Sequence, residues 1–238
     1  MRKILITNDD GINADGLIRL AKAAGQFGEV WVIAPKQQRS AASHSITLRE
    51  PIEIKPYDFP VEGVTAFSCS GTPADCVRVG SLNVMPQKPD VVLCGINYGY
   101  NVASDLQYSA TAGAAFEAAF QGIRGIALSE SANENHGITN AYLLPLLGEY
   151  IDVKLEENQI MNINFPGGKK EECKGIRRNV KTSKGAFFHD RYKIIEEKQD
   201  QTRVYMVNGI YNEEAEEGTD FRAIVDQYIS IGVVNNVN

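Results

Sequence analysis

Residues 3–16 read KILITNDDGINADG, and this stretch decides the fold class. Residues 3–7 form a short apolar run that predicts a buried strand, followed by a polar, Gly-containing turn. Residues 16–26 then carry apolar side chains at helical spacing, and residues 30–34 predict a second strand. The chain therefore opens with a β-α-β unit, which favours a parallel sheet with helices on its faces.

The same alternation continues as far as residue 168. Further strands are predicted at 46–55, 63–68, 91–94, 126–129 and 159–165, helices at 73–82, 111–121 and 141–151, and a long polar loop at 95–109. Charged and β-prone segments follow, ending in a short helix at 219–226 and a strand at 228–234. We expect a doubly wound α/β core over residues 1–168, with a mostly parallel sheet, and a C-terminal extension over residues 169–238.

The composition excludes several classes of protein. The 238 residues include 24 Lys and Arg against 30 Asp and Glu, a formal charge of −6. A general nucleic-acid binder needs a basic face and is not expected. No stretch approaches the ~18 uninterrupted apolar residues of a membrane span, and the run Ile4–Ile6 is too short for a signal-peptide core. The four cysteines form no CxxC motif, so we expect reduced thiols in a cytoplasmic protein.

Oxygen-bearing side chains follow several of the predicted strands, and ligands of open α/β sheets bind outside the carboxyl ends of strands. Asp9 and Asp10 follow the first strand, Ser40 follows the second, and Asn97 follows the strand at 91–94. Adjacent carboxylates repel when desolvated, and a hard cation such as Mg²⁺, which takes carboxylate, amide and hydroxyl oxygens, relieves that repulsion. The four side chains are a candidate open metal site. An Asp-Asp-Gly turn with a helix cap is the alternative.

A second candidate feature is the start of the helix predicted at 111–121. Residues 108–111 read Tyr-Ser-Ala-Thr, and a helix terminus with two hydroxyls can hold a phosphate. Simple capping by Ser109 or Thr111 is the alternative. The loop GINYGYN at 95–101 is not GxGxxG, and no GxxxxGK[ST] motif occurs. These absences argue against a dinucleotide-binding oxidoreductase and a P-loop NTPase.

Other enzyme classes fit the sequence less well. A phosphorelay receiver also carries adjacent acids after its first strand, but it is roughly half this length and needs a further Asp and a late Lys. None of the three histidines belongs to an HExxH motif or a triad signature, so solvated or core roles are expected for them. His44 is the best exception, because its loop also carries Ser40.

Taken together, these segments resemble the SurE family (survival protein E). The matching stretches are ILITNDDGINADG at 4–16, VIAPKQQRS at 32–40, SITL at 45–48, GTPADCV at 71–77, PDVVLCGINYGYN at 89–101, residues 108–119 and GTDFRAIVDQYISI at 218–231. They span nearly the whole chain in the expected order. Several ordered motifs are far more specific than any single one.

The resemblance implies a Rossmann-like core and hydrolysis of the phosphomonoester of nucleoside monophosphates, with Mg²⁺ or Mn²⁺ as the cofactor. Some family members also cleave short polyphosphate. Asp9, Asp10, Ser40 and Asn97 match the family's metal ligands, and residues 109–111 match a stretch close to the phosphate. The resemblance also implies a homodimer or homotetramer with C-terminal elements exchanged between subunits, a role that would suit the C-terminal extension.

We therefore expect a metal-dependent nucleotidase with no nucleic-acid duplex and no membrane as partner. The expected catalytic residues are Asp9, Asp10, Ser109 and Thr111, and the expected substrate contacts are Asn13, Ser43 and Asn101. Preference for a 5′ or a 3′ phosphate stays open. Residues 109–112 read Ser-Ala-Thr-Ala where the family usually has Ser-Gly-Thr-Val, and alanine lacks glycine's freedom for close approach or positive φ. A nucleotide-binding regulatory protein with weak or no turnover is thus the alternative function.

Overall fold

The structure is a computed structural model that describes residues 1–212 and 214–236. Its helices are α1 (Asp15–Ala24), α2 (Pro73–Val79), α3 (Ala110–Phe120), α4 (Gly137–Tyr150) and α5 (Asp220–Val225). Its strands are β1 (Lys3–Thr7), β2 (Glu29–Pro35), β3 (Ile54–Pro56), β4 (Thr65–Cys69), β5 (Val91–Tyr98), β6 (Arg124–Glu130), β7 (Gln159–Phe165), β8 (Ile176–Arg178), β9 (Phe188–His189), β10 (Tyr192–Glu197), β11 (Arg203–Val207), β12 (Ile210–Tyr211) and β13 (Ile229–Asn235).

Among the described residues, nine strands form one sheet in the order β3-β4-β2-β1-β5-β6-β7-β13-β8. The strands from β4 to β7 in this order run parallel, whereas β3 and β13 run antiparallel to β4 and β7. From β1 the chain passes to β2 on one side and only later to β5 on the other. This mixed, mostly parallel sheet confirms the predicted α/β class, and its switch point lies between β1 and β5.

Helices cover both faces of the sheet and bury the apolar runs read from the sequence. Leu17 and Leu20 of α1 share one core with Leu146 of α4, while Val77 of α2 and Ala115 of α3 belong to the core on the opposite face. Strands covered on both faces carry continuous apolar runs rather than alternating ones, as β1 does.

One glycine brings α1 against the central strand that carries part of the site. A Cβ on Gly16 would lie 2.2 Å from the backbone oxygen of Ile96 in β5, so a side chain at this position cannot be accommodated without movement. The start of α1 therefore packs directly against the backbone near the end of β5.

The prediction of a strand over residues 46–55 is wrong for most of its length, because only Ile54–Pro56 pairs with β4. Thr47 instead donates its backbone N–H to Asp75 Oδ1 at 3.0 Å and its hydroxyl to Asp75 Oδ2 at 2.6 Å. Pro51 also has no N–H to give to a strand ladder. The segment is therefore tied to the first turn of α2 rather than to the sheet.

The prediction of a loop over residues 95–109 is also wrong in part. After a register shift, Asn97 pairs with Ser129 and Tyr98 with Glu130, so β5 continues past Gly95. Ala103–Gln107 then forms a 3₁₀ turn. Asn97 consequently lies on a central strand.

Two predicted helices differ in their ends. The helix expected at 73–82 ends at Val79 and passes into a π-helical turn at Gly80–Val84, while α4 begins at Gly137, four residues before the expected start. The earlier start of α4 places its N-cap residue, His136, beside Glu130 at the carboxyl end of β6.

The segment after residue 168 contributes to the same sheet as the segment before it. Strand β13 lies between β7 and β8, and α5 buries Phe221 in a small apolar cluster with Val102 and Phe187. The division into a core at 1–168 and an extension at 169–238 stays a prediction. Over residues 1–212 and 214–236, no helix combines the length and apolar character needed to cross a bilayer.

Asp220 joins the C-terminal helix to the rest of the chain. Its Oδ1 accepts the N–H groups of Ser183 at 2.8 Å and Phe221 at 2.7 Å, and its Oδ2 accepts the N–H of Ala103 at 3.2 Å. The side chain is buried, so these donors have no water to replace it.

We expect Asp220→Ala to lower the free energy of unfolding by about 3 kcal/mol, the cost of leaving buried donors unpaired. Urea denaturation monitored by circular dichroism measures this change. Asp152→Ala is the matched control, because Asp152 is 68% exposed where it pairs with Arg2, and its loss is expected to cost less than about 1 kcal/mol. Equal effects of the two substitutions would show that the buried hydrogen bonds do not stabilise α5.

Candidate active site

The turn after β1 is shaped so that it presents two carboxylates in succession. The Asn8 side chain accepts the N–H of Gly11 at 3.2 Å and donates to the Gly11 carbonyl at 3.0 Å, closing a tight loop around Asp9 and Asp10. Gly11 has φ of +103°, in the region that side-chain-bearing L-residues rarely adopt.

A cleft of about 340 Å³ opens at the carboxyl edge of β1 and β5. Five residues singled out from the sequence line it: Asp9, Ser40, Asn97, Asn101 and Ser109. They come from four separate parts of the chain. The strand order therefore brings together three of the four expected metal ligands, of which Asp9 is also an expected catalytic residue. The expected catalytic residue Ser109 and the expected substrate contact Asn101 join them.

Asp10 lies beside this cleft and is connected to it through two neighbours. Its Oδ2 accepts the backbone N–H of Tyr98 at 3.0 Å, and Tyr98 also lines the cleft. Gln38 Nε2 lies 3.0 Å from Ser40 Oγ and 3.4 Å from Asp10 Oδ1. The Gln38 amide thus links the loop that carries Asp10, the fourth expected metal ligand, to the loop that carries Ser40.

Thr111 contacts Asp9 and is not among the residues that line the cleft. The Thr111 hydroxyl donates to Asp9 Oδ1, and the Thr111 side chain is fully buried. This bond fixes the orientation of the Asp9 carboxylate from the first turn of α3.

Ser109 is the N-cap of α3, the role that the sequence left as the alternative to anion binding. Its Oγ accepts the N–H of Ala112 at 3.0 Å. The Ser109 hydroxyl hydrogen stays free to donate into the cleft that the residue lines.

The two asparagines of the cleft are held by different bonds. Asn97 Nδ2 donates to the Gly99 carbonyl at 2.8 Å, which leaves its Oδ1 as the ligand-capable atom. Asn101 Nδ2 donates to Ser129 Oγ at 2.7 Å, and the Asn101 backbone bonds with Asn164. Asn101 is therefore part of a buried polar network at the ends of the parallel strands.

The other two expected substrate contacts, Asn13 and Ser43, are not among the residues that line the cleft. The Asn13 side chain is exposed and accepts the Tyr57 hydroxyl. Ser43 bonds through its backbone N–H to the Tyr108 carbonyl at 3.0 Å. Their roles in substrate binding stay predictions.

Burial makes the two carboxylates hard to ionise in the metal-free protein. Burial raises the pKa of Asp9 to about 6, the Thr111 hydroxyl opposes the shift, and the Asp10 charge adds to it. Burial also raises the pKa of Asp10, against the Tyr98 N–H and with a further increase from the Glu130 charge. A cation between the loops would reverse both shifts, since it stabilises the charged forms.

The oxygen atoms of the candidate site fit a hard cation that is bound by only two negatively charged side chains. Among the described residues, no group of three His, Cys, Asp or Glu side chains is placed to hold a metal ion. The candidate set instead combines two carboxylates with a hydroxyl and an amide oxygen, which suits a cation such as Mg²⁺ that keeps several waters.

Sequence reasoning missed several residues on the outer wall of the cleft. Tyr100, Asp105, Phe188 and Asp190 line it together with the exposed ring of Tyr108. Burial and the nearby Asp190 charge raise the pKa of Asp105. No local signal marks Phe188 or Asp190, because they approach the cleft from a segment some 80 residues after Tyr108.

A smaller charged pocket adjoins Asp10 on the side of α1 and was also missed. Arg19 pairs with the buried Glu130 carboxylate, and His136 Nδ1 lies 3.1 Å from Glu130 Oε1. Arg19 also donates to Asp15 at 2.6 Å. The sequence gives no signal for this pocket, since the cationic partners of Glu130 are distant from it along the chain.

An open, mostly parallel sheet with oxygen-bearing side chains gathered at its switch point defines a Rossmann-like α/β protein with a candidate ligand site at its strand ends. Residues 4–188 match the family described as Survival protein SurE. The chain belongs to the SurE family, as the motifs of the sequence indicated.

Relatives and a solved structure agree over nearly the whole chain. The 5′-nucleotidase SurE of Clostridium botulinum (strain Loch Maree / Type A3) is 38% identical over 232 residues, covering 96% of this chain and 90% of that protein. The 5′-nucleotidase SurE of Mesorhizobium japonicum is 35% identical over 240 residues, covering 96% and 91%. The crystal structure of the Sure protein from Aquifex aeolicus superposes with a TM-score of 0.83 at 29% identity, covering 99% of this chain and 94% of that one.

The raised pKa of Asp9 predicts a pH-dependent stability of the metal-free protein. The folded state holds the Asp9 proton up to about pH 6, whereas the unfolded chain releases it near the ordinary value of 3.8. The contribution of Asp9 to the free energy of unfolding therefore falls as pH rises from about 4 to about 6. Asp9→Asn should make the metal-free protein more stable than the parent by about 3 kcal/mol above pH 7.

Urea unfolding in EDTA at several pH values measures the difference between the two proteins. It should grow between about pH 4 and pH 6 and then level off. Asp58→Asn, at an exposed aspartate, is the control and should show no such trend. If the difference in the free energy of unfolding did not change with pH, burial would not raise the pKa of Asp9.

Proposed function

We propose that this chain is a divalent-cation-dependent 5′-nucleotidase that releases phosphate from nucleoside monophosphates. The carrying observation is the convergence of Asp9, Ser40 and Asn97 on one cleft that also contains the capped start of α3. The similar proteins from Clostridium botulinum and Mesorhizobium japonicum bear the name 5′-nucleotidase SurE.

Asp9, Asp10, Ser40 and Asn97 are the residues that would hold the cation, with Mg²⁺ or Mn²⁺ as the expected ion. When bound, such a cation supplies Lewis-acid polarisation of a phosphoryl oxygen and lowers the pKa of a coordinated water. The chain contributes the orientation of its ligands, because Thr111 fixes Asp9 and the Tyr98 N–H fixes Asp10.

The start of α3 is suited to the phosphoryl group. Ser109 can donate its hydroxyl hydrogen while its oxygen caps the helix, and the positive end of an 11-residue helix faces the same region. Donors placed before the reaction stabilise charge that develops on the transferring group. We assign Ser109 a direct role at the phosphate and Thr111 an indirect one through Asp9.

The alternative of a nucleotide-binding protein without turnover rested on Ala110. Ala110 is the first residue of α3 and is fully buried with helical backbone geometry. Alanine is an ordinary residue at such a position, so its replacement of the family's glycine introduces no backbone strain. The structure therefore offers no observation that favours this alternative, and it becomes an outcome of the activity test.

We further propose assembly into a homodimer or homotetramer in a cytoplasmic setting. The hairpin of β10 and β11 exposes six large apolar side chains: Tyr192, Ile194, Ile195, Tyr205, Met206 and Val207. Tyr192 pairs with Val207 and Ile194 with Tyr205 across the two strands, and exposed apolar side chains grouped in this way are typical of an interaction site. Exchange of C-terminal elements between subunits is the arrangement expected from the family.

Release of inorganic phosphate from a panel of 5′- and 3′-nucleoside monophosphates, with Mg²⁺, with Mn²⁺ and with EDTA, tests the proposed function. We expect cation-dependent release, with 5′-monophosphates preferred over 3′-monophosphates. Tight nucleotide binding without phosphate release would favour the regulatory alternative, and release that is unaffected by EDTA would remove the cation from the mechanism.

We expect Asp10→Asn to reduce cation-dependent phosphate release by roughly 100-fold or more, because the charge stabilisation supplied at a metal site amounts to several kcal/mol. Steady-state kinetics with circular dichroism as the folding check measures the effect. Asp152→Asn is the matched control, because Asp152 pairs with Arg2 and Arg124 near the opposite edge of the sheet and should leave the rate unchanged. A folded and fully active Asp10→Asn protein would exclude Asp10 from the mechanism.

A further inference from the structure

The loop over residues 36–45, here called the Ser40 loop, contains no helix or strand. Its backbone is unfavourable in two places. Ala41 has φ of +55° and Ser43 has φ of +52°, both in the left-handed region where a Cβ is disfavoured. A loop with two such residues keeps its conformation only when its surroundings hold it there.

Two backbone bonds tie the Ser40 loop to other parts of the site. The N–H of Arg39 donates to the carbonyl of Asp9 at 2.7 Å, and the N–H of Ser43 donates to the carbonyl of Tyr108 at 3.0 Å. The loop thus spans the gap between the turn after β1 and the start of α3.

The end of the Ser40 loop lies directly on α3. A Cβ on Gly113 would lie 2.5 Å from the carbonyl oxygen of Ser43 and 2.9 Å from the Cα of His44. Glycine at this position lets the loop backbone touch the helix that begins with Ser109 and orients Asp9 through Thr111.

His44 attaches the Ser40 loop to a rigid, buried carboxylate on α3. His44 Nε2 lies 2.8 Å from Glu117 Oε2, and the His44 ring packs against Phe120 with centroids 5.3 Å apart. The other oxygen, Glu117 Oε1, accepts Arg78 Nη1 at 3.1 Å and Gln121 Nε2 at 2.9 Å. Glu117 is only 3% exposed, so it is fixed from several sides and cannot follow the loop if the loop moves.

We infer that the His44–Glu117 pair is a positioning pair that anchors the Ser40 loop on α3 and keeps Ser40 in place beside Asp9. His44 is not among the residues that line the cleft, so it acts through the loop rather than on a substrate. The positive φ values of Ala41 and Ser43 disfavour the conformation of the Ser40 loop, and the bond from His44 to Glu117 stabilises it. The consequence for activity rests on the proposed function, whereas the anchoring itself does not.

The test compares variants that remove different partners of the same carboxylate. His44→Ala removes the bond from the loop. Arg78→Ala is the matched control, because it removes an ion pair to Glu117 from α2, with a side chain that is 45% exposed, and does not touch the loop. His44→Gln is the conservative variant, since its amide can still donate to Glu117.

The first measurement is limited digestion with trypsin, which requires no assumption about function. The exposed Lys36 and Arg39 are cleavage sites within the Ser40 loop. His44→Ala should raise the rate of cleavage at these two sites by about 5-fold or more, because cleavage follows the population of the opened loop. Arg78→Ala and His44→Gln should cleave like the parent. Equal cleavage of His44→Ala and Arg78→Ala would overturn the proposal.

The second measurement is the affinity for Mn²⁺ without substrate, by electron paramagnetic resonance of the free ion, together with kcat and KM. Loss of a group that orients a ligand typically costs 10- to 100-fold in metal affinity, and we expect about this loss for His44→Ala. Arg78→Ala should change the affinity by less than about 3-fold, as expected for a half-exposed ion pair. Melting temperatures of both variants show whether the loss of Mn²⁺ affinity follows general destabilisation. We expect His44→Ala and Arg78→Ala to lower the melting temperature by similar amounts, whereas only His44→Ala should lose Mn²⁺ affinity.

The third measurement is rescue. Glycine adopts a φ of +55° without penalty, so Ala41→Gly should restore part of the Mn²⁺ affinity and the protease resistance of His44→Ala. No rescue would show that the loop conformation is not what His44 holds. If the parent protein released no phosphate while His44→Ala still opened the loop, the anchor would stand and the nucleotidase proposal would fall.

Discussion

Two adjacent carboxylates held in a poorly solvated turn are the constraint on which the rest of the site depends. Asp9 is almost excluded from water and Asp10 is half-buried, so ionising both costs free energy. The chain offsets part of this cost with the Thr111 hydroxyl and the Tyr98 N–H. A bound cation would remove the remainder, which links occupancy of the site to the conformation of the loops around it.

The sheet order supplies the geometry that this constraint needs. The strands β1 and β5 are neighbours at the switch point, so Asp10 in the turn after β1 and Tyr98 at the end of β5 meet although they are 88 residues apart. Close contacts of backbone with backbone at Gly16 and Gly113 fix the surrounding elements. The site is therefore assembled from rigid elements, and the Ser40 loop is the part that needs an anchor of its own.

The extent to which the sequence predicted this site can be seen from individual residues. Asp9, Ser40 and Asn97 were found because each follows a predicted strand, and the Ser109 cap was found because capping is local chemistry. The strand over residues 46–55 was wrong because the side chain of Asp75 takes hydrogen bonds that a strand would need. Asp105, Phe188 and Asp190 were missed because no local pattern shows that distant segments meet at one cleft.

The sequence by itself determined the alternation of strands and helices, the turn chemistry at Gly11 and the order of the family's motifs, because hydrophobic periodicity and capping act over a few residues. Only the tertiary structure decided that Thr111 donates a hydrogen bond to Asp9 and that His44 binds Glu117. It also decided that Asn13 and Ser43 do not line the cleft. These relations depend on which strands become neighbours and how closely helices pack, and that is settled by the whole core rather than by any one segment.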